Sequence, residues 1–481
     1  MAGRERAASQ LGQQRLSCRP SATIGGVNAS GAAGPGADRP HDPRAARSVE
    51  RTYLVLTLLT TLAASFIWGI NTLFLLDAGL NNAEAFAANA FFAAGQVFFE
   101  VPTGVVADTR GRQLSFLLGA ATLLVSTLLY LVMWQIHAEL WGWAIASILL
   151  GLGFTFFSGA TEAWLVDALN ATGFTGELES VFGRAQSVSG VAMLIGSVSG
   201  GIIAQETNLG VPYVARAAML GVTLVVAFVF MHDIGFTPRR GASVVTDVRT
   251  VLRGSIDGGL RNPPVRWLMF AAPFSAGVGF YTFYALQPYL LQLYGDKTAY
   301  GIAGLAAAMI AGAQIVGGLV VPRVRRLFSR RTDALLLGSA LGLIGLALVG
   351  LTHNFALALV LVAAQSLVFA LQMPFRQAFL AGLIPSAERA TVLSFDSLMG
   401  STGGIIAPPI LGRTADLYGY PASYVVAAGI GTLALPFVFL ARHERAVSDP
   451  IAGPGAESVL AVSPNPLDES GVPPLEPPKV D

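Results

Sequence analysis

Twelve apolar stretches, each of about 20 residues and so long enough to cross a bilayer's hydrocarbon core, leave this chain little choice of fold. They run Tyr53–Asp77, Ala83–Val106, Gln113–Ile136, Trp141–Ala168, Val181–Ala204 and Tyr213–Met231. The second set is Trp267–Tyr294, Tyr300–Val321, Asp333–Leu351, Phe355–Leu383, Ala390–Leu411 and Tyr424–Ala441. In lipid the backbone can bond only to itself, so each stretch must be a helix rather than an open strand. Composition agrees: 12% of residues are charged, against roughly 25% in soluble domains. The fold class is an all-α membrane protein of twelve transmembrane helices.

Charge placement orients the helices. Arg110, Arg112, Arg184, Arg239, Arg240, Arg249, Arg253, Arg261, Arg266, Arg323, Arg325, Arg326, Arg330, Arg331, Arg389, Arg442 and Arg445 all fall on one side of this map, and little more than Lys297, Arg216 and Arg413 on the other. Positively charged loops stay in the cytoplasm, so the arginine side is expected inside, with both termini. The expected location is the inner (plasma) membrane of a bacterium, multi-pass. Residues 1–52 and 442–481, rich in Pro, Gly, Ala and Ser, read as disordered tails. No cleaved signal peptide is expected before Tyr53.

Several chemistries find no support. Cys18 is the single cysteine, which excludes an internal disulfide and a multi-cysteine metal site. His41, His137, His232, His353 and His443 lie in loops, tails or span ends and form no metal cluster. No Gly-Lys-Ser/Thr phosphate loop is present, so nucleotide-driven pumping is not indicated. No enzyme, cofactor, metal or nucleic-acid role is expected. The partners expected are the lipid bilayer, a small-molecule solute and protons as the coupling ion, with the chain a monomer.

The chain repeats itself. Gly200-Gly-Ile-Ile-Ala204 recurs as Gly403-Gly-Ile-Ile-Ala407, and Ala163-Trp-Leu165 as Ala378-Phe-Leu380. Arg184-Ala185 returns as Arg389-Ala390, and Gly210-Val-Pro212 as Gly419-Tyr-Pro421. Nearly constant offsets point to duplication: six-helix bundles over residues 53–233 and 265–441, in the same orientation, with a solute site near mid-membrane between them. Residues 234–264 join them. Within that join Val244, Val245, Val248, Val251 and Leu252 alternate with Arg249 and Arg253, a pattern that suits a short interfacial helix and equally a solvated linker.

Between the second and third apolar runs lies Glu100-Val-Pro-Thr-Gly104-Val-Val-Ala-Asp108-Thr-Arg110-Gly111-Arg112-Gln113. In that position, in a duplicated twelve-helix chain, it resembles the corresponding loop of the major facilitator superfamily of secondary transporters. The resemblance covers roughly Tyr53 to Ala441. It implies the superfamily's two parallel six-helix repeats, and a cytoplasmic latch built from Gly104, Asp108, Arg110, Gly111, Arg112 and Asp167. In that latch Asp108 addresses the helix start around Ala390–Val392, and Arg112 pairs with Asp167. The chemistry is sensible, because a helix N-terminus carries unpaired N–H groups that favour a carboxylate. The echo in the second half, Gly318-Leu-Val-Val-Pro322-Arg-Val-Arg-Arg326, has lost its acid.

Ionisable side chains inside a membrane are costly and are read first as functional. Glu100, Glu162, Arg376 and Asp396 are the four here. The repeat sets Glu162 opposite Arg376, so Arg376 is expected to answer Glu162 or Asp396 when the inner side closes. Glu100 is the expected proton carrier. Gln96, Tyr284 and Gln287, with Asn71 and Asn89, supply uncharged hydrogen-bonding groups, and Phe91, Phe92 and Phe154 an apolar wall suited to an amphipathic solute.

Two departures from proton-driven exporters of the superfamily stand out. The fourth helix lacks a buried arginine, and the fifth reads Gly196-Ser197 where a Gly-Pro kink is usual. The expected function is secondary transport by alternating access, nominally proton-coupled efflux, with uptake close behind. The reading of a different class is a membrane sensor or scaffold that kept the fold.

Overall fold

The computed structural model describes residues 43–157, 159–238, 255–384 and 389–451, with 249 and 253 as isolated positions. Helices dominate; the only strand-like feature among the described residues is one antiparallel bridge, Arg330 to Pro450. In the first half α1 (Pro43–Trp68) and α2 (Asn71–Asp77) make the first crossing, α3 (Asn82–Arg110) the second and α4 (Arg112–Gln135) the third. α5 (Leu140–Phe157) and α6 (Ala160–Ala171) share the fourth, followed by α7 (Leu178–Glu206) and α8 (Val211–Phe230). The second half runs α9 (Pro263–Tyr294), α10 (Tyr300–Val324), α11 (Arg331–Leu351), α12 (Phe355–Ala381), α13 (Arg389–Thr432) and α14 (Ala434–His443).

Eleven helical stretches are apolar and long enough to span a membrane, and the last, Val392–His443, has 52 residues. At 1.5 Å per residue it would be about 78 Å long, more than twice a hydrocarbon core of about 30 Å. Gly419 resolves this: at φ 80° and ψ 167° it breaks α13, a conformation closed to residues with a Cβ. The eleventh stretch is therefore two crossings, and the described residues make twelve in all.

The duplicated glycines do the same work in each half. A methyl group on Gly200 of α7 would overlap the carbonyl oxygen of Phe66 in α1, and one on Gly403 of α13 would overlap that of Pro273 in α9. Backbones in such close contact hold helices together by van der Waals packing where lipid offers no hydrophobic drive.

The helix limits differ from the sequence expectation at both ends. α1 begins at Pro43, ten residues before the expected Tyr53, with Ala46 and Val49 buried and Glu50 paired with Arg184. An apolar-run criterion misses this turn because Arg44, Arg47, Glu50 and Arg51 occupy its other positions. Beyond His443 the chain does not simply leave. Residues 444–451 fold back, and Asp449 caps α11: its Oδ1 accepts from the Thr332 amide at 2.9 Å and its Oδ2 from the Thr332 hydroxyl at 2.9 Å. Ser448 donates its hydroxyl to Phe379 O at 2.8 Å. The first half matches this. Asp233, just past α8, accepts from the Gln113 amide at the start of α4 at 2.9 Å, while Trp164 Nε1 donates to His232 O at 2.7 Å. The expected tails at 1–52 and 442–481 are thus corrected where they are described, at residues 43–52 and 442–451; the rest of both tails, and the expected interfacial helix at 244–252 apart from residue 249, lie outside the described residues.

Asp449→Ala removes a buried cap and is expected to cost about 1–2 kcal/mol of stability. Thermal unfolding of the purified protein checks this, with Asp449→Asn retaining most of the melting temperature; an unshifted Ala variant means the cap contributes nothing.

Candidate functional site

Among the described residues, the halves meet closely at the end opposite the arginines. A methyl group on Gly69, between α1 and α2, would lie 2.8 Å from Gly304 Cα of α10, and one on Gly201 of α7 would lie 2.8 Å from Tyr300 O. Across the other flank Phe86 of α3 meets Tyr281 of α9 edge-on, with ring centroids 5.2 Å apart. Asp416, late in the eleventh crossing, adds a charged contact. Its Oδ1 accepts from Asn82 N at 3.0 Å and Asn82 Nδ2 at 2.9 Å, and its Oδ2 from Ala83 N at 3.0 Å. The next amide, of Glu84, goes to Asn81 Oδ1 at 2.9 Å. The first turn of α3 is thus satisfied in full, two of its donors by a carboxylate from the other half that also meets the positive end of the helix dipole. The Tyr420 hydroxyl donates to Asn82 Oδ1 beside it.

A second contact enters the break in the first crossing. Between α1 and α2 the bond from Thr72 N–H to Trp68 C=O is not made directly. Gln287 of α9 stands in its place, donating Nε2 to Trp68 O at 2.8 Å and accepting Thr72 N at Oε1 at 2.9 Å. A side chain inserted into the helical ladder is a recognised cause of such breaks. Gln287 is buried, at 3% exposure, so the expected cavity amide is instead part of the seal between halves.

The arginine-rich end is arranged differently. Its two apolar clusters are each drawn from one half: Ala46 to Met231 in the first, Val265 to Ala446 in the second. A methyl group on Gly104 would meet nothing within 4 Å, so this glycine makes no close approach here. The loop residues do assemble. Arg112 Nη1 donates to Asp108 Oδ1 at 2.5 Å, and Arg112 Nε lies 3.8 Å from Asp167 Oδ2, the expected pair. Gly111 turns the chain at φ 118°, and any side chain there would overlap the Asp233 carboxylate. Arg110 is exposed. The expected contact of Asp108 with the helix start near Ala390–Val392 involves side-chain positions 389–391, which lie outside the described residues.

Inside the second half Arg376 grips Asp396 with both guanidinium nitrogens, Nη1 to Oδ2 at 2.5 Å and Nη2 to Oδ1 at 2.6 Å, and also donates to Leu268 O at 3.4 Å. Asp396 is one of the two partners expected for Arg376. Arg376 does not reach across to Glu162; it ties α12, α13 and α9 within one half. Glu162 is exposed in the first turn of α6, where a helix N-terminus favours an acid, and it has no ion-pair partner among the described residues. Glu100 is half-buried, one turn beyond Gln96 on α3. Gln96 and Tyr284 are half-buried too, and their side-chain polar atoms make no hydrogen bonds among the described residues. Asn71 and Asn89, expected in the cavity, bond instead to each other, Asn71 Nδ2 donating to Asn89 Oδ1 at 2.8 Å, and Asn71 Oδ1 accepts the Tyr213 hydroxyl at 2.9 Å.

The sequence matches the profile of the Major Facilitator Superfamily over residues 53–328 and 324–470. The chain belongs to the major facilitator superfamily. It is a multi-pass membrane transporter, not an enzyme. No curated protein matches it. Solved structures share the superfamily fold. The nucleoside transporter NupG is 11% identical with a TM-score of 0.67, covering 82% of this chain and 98% of its own. A bacterial homologue of the human lysosomal transporter Spinster, inward-facing and unoccupied, is 15% identical with a TM-score of 0.64, covering 84% and 98%. A D-xylose–proton symporter is 15% identical with a TM-score of 0.57, covering 82% and 96%.

For a superfamily member the residues that the sequence did not single out are instructive. Asp416, Asn82 and Asp233 lie at span ends, where an acid or amide looks like ordinary loop chemistry. Arg216, placed by charge counting near a loop, is buried in α8 at 2% exposure with Nε donating to the Thr127 hydroxyl at 3.1 Å.

Two variants test this geometry. Arg376→Ala strands a buried carboxylate and is expected to cost about 3–5 kcal/mol, with Arg376→Ala/Asp396→Ala recovering most of it in thermal melts; equal losses in both would remove the pair from consideration. Gln287→Leu leaves Trp68 O and Thr72 N–H without their partner and is expected to cost about 1–3 kcal/mol, where an unchanged melting temperature would show that α1 and α2 reconnect without the amide.

Proposed function

We propose that this superfamily member is a secondary active transporter that moves a small amphipathic organic solute by alternating access, with its arginine-rich end in the cytoplasm. The observation that carries the reading is a pair of carboxylates set at opposite ends of the same two helices. Asp416 occupies the amides that open α3. At the other end Asp108, late in α3, stands near the level at which α13 begins. Here the first is engaged, and the halves share hydrogen bonds at that end. In this reading Asp416 addresses α3 when the end opposite the arginines is closed, and Asp108 addresses the opening turn of α13 when the arginine-rich end is closed.

Each carboxylate–helix contact is of the order of 1–2 kcal/mol. That is enough to tilt two conformers by a factor of about 5–30, and small enough to break in every cycle. Glu100 is the proposed proton site, half-buried on α3 beside the unpartnered amide of Gln96. Phe92 and Phe154, edge-on at 5.6 Å, supply an apolar face near Gln96, which favours an amphipathic solute over a polyanion. The proposed direction is export in exchange for protons.

Opposed shifts test the switch. In a background with Cys18→Ser, single cysteines at Val105 and Gln205 report access at the two ends to an impermeant thiol reagent. Asp416→Ala is expected to raise labelling at Gln205 and lower it at Val105, and Asp108→Asn to do the reverse by about 5-fold or more. Shifts of the same sign in both variants would sink the two-latch reading. Solute counterflow in proteoliposomes, with pH dependence lost in Glu100→Gln, tests transport and its coupling.

A further inference from the structure

We propose that the arginine-rich end of α11 and α14 carries a binding site for the headgroup of an anionic phospholipid, separate from the solute path. Arg330, Phe439, Arg442, His443 and Arg445 line a pocket of about 190 Å³ there. That is below the roughly 300–1,000 Å³ of sites that hold drug-sized ligands, and it suits a phosphodiester group. Its charge is unbalanced. Arg442 Nε is held by Asp333 at 2.6 Å, whereas Arg330 and Arg445 are exposed and have no carboxylate partner among the described residues. The nearby Glu444 is turned to another task, accepting Trp267 Nε1 at 3.0 Å.

The pocket is formed by the returning strap. Arg445 adopts φ 48°, which reverses the chain after α14, and the bridge from Arg330 to Pro450 then holds Arg330 beside the end of that helix. Asp449, buried at 2% under the start of α11, anchors the turn. The apolar side fits a lipid as well. Phe439 is 54% exposed and Pro436, one turn earlier on the same helix face, is exposed too, so acyl chains have an apolar track leading from the cationic pocket toward the membrane interior. Basic pockets between helices at the level of the headgroups are recognised sites for anionic lipids. A free phosphate ion would meet the same guanidinium groups but would gain nothing from that track.

Native mass spectrometry of the full-length protein, released from phosphatidylcholine nanodiscs containing a minor fraction of phosphatidylglycerol, reads the site. The wild type is expected to retain phosphatidylglycerol in preference to phosphatidylcholine. Arg330→Gln/Arg445→Gln is expected to lose that retention by about tenfold, while Arg323→Gln/Arg326→Gln, which removes the same charge from the neighbouring loop, retains it. Both exposed pairs leave Asp449 and Asp333 in place, and an unchanged thermal melt verifies folding. Equal losses in the two double variants would reduce the effect to general attraction and overturn the site. Unaltered retention in Arg330→Gln/Arg445→Gln, or displacement of the lipid by inorganic phosphate, would overturn it too.

Discussion

A helix buried in lipid cannot leave the donors of its first turn to water, and the seam of this transporter is organised around that constraint. The opening turn of α3 is completed by Asp416, a residue more than three hundred positions away in the other half. The contact joins charge, hydrogen bonding and helix dipole at one spot. Gly412 brings α13 near enough to α3 for so short a side chain to span the seam: a methyl group on it would lie 2.8 Å from Asn82 O. Gln287 extends the principle to a helix interior, by taking both ends of a bond that α1 and α2 do not make between themselves.

The same chemistry recurs within the halves, where it fastens instead of switching. Asp233 and Asp449 follow the sixth and twelfth crossings and cap the third and ninth. The echo is one of position and role, since the surrounding sequences have drifted. In the second half the loop acid corresponding to Asp108 has gone, and the strap anchored by Asp449 ties the start of α11 from outside the loop. Arg376 and Asp396 likewise act inside one half. Rigid halves are what the proposed rocking mechanism needs, and these charged groups lock each half.

Much of this was legible from residues read in order. Apolar length and the need to satisfy backbone groups in lipid set the twelve crossings, and the repeated Gly-Gly pairs marked the two places where α7 meets α1 and α13 meets α9. The pairing of Arg112 with Asp167 could be anticipated because Arg112 sits in a recognisable loop pattern, and the resemblance that pattern carries implies an acid at the end of the fourth crossing as its partner. The partner of Arg376 was less legible: periodicity put Glu162 and Asp396 at comparable depth, and only packing decides which carboxylate an arginine can reach. Asp416 and Gln287 gave no signal of their role, since a span-end acid and a mid-span amide are each compatible with solvent, cavity or partner.

The amino-acid sequence by itself determined the class of molecule: helical, membrane-spanning, duplicated and charged at one end, because these follow from one-dimensional quantities such as run length, spacing and charge order. Which contacts seal the end opposite the arginines, which carboxylate caps which helix, and where, among the described residues, arginines lack a counter-charge were decided only in the tertiary structure. Those properties depend on distances between residues far apart in the chain, which the order of residues does not contain.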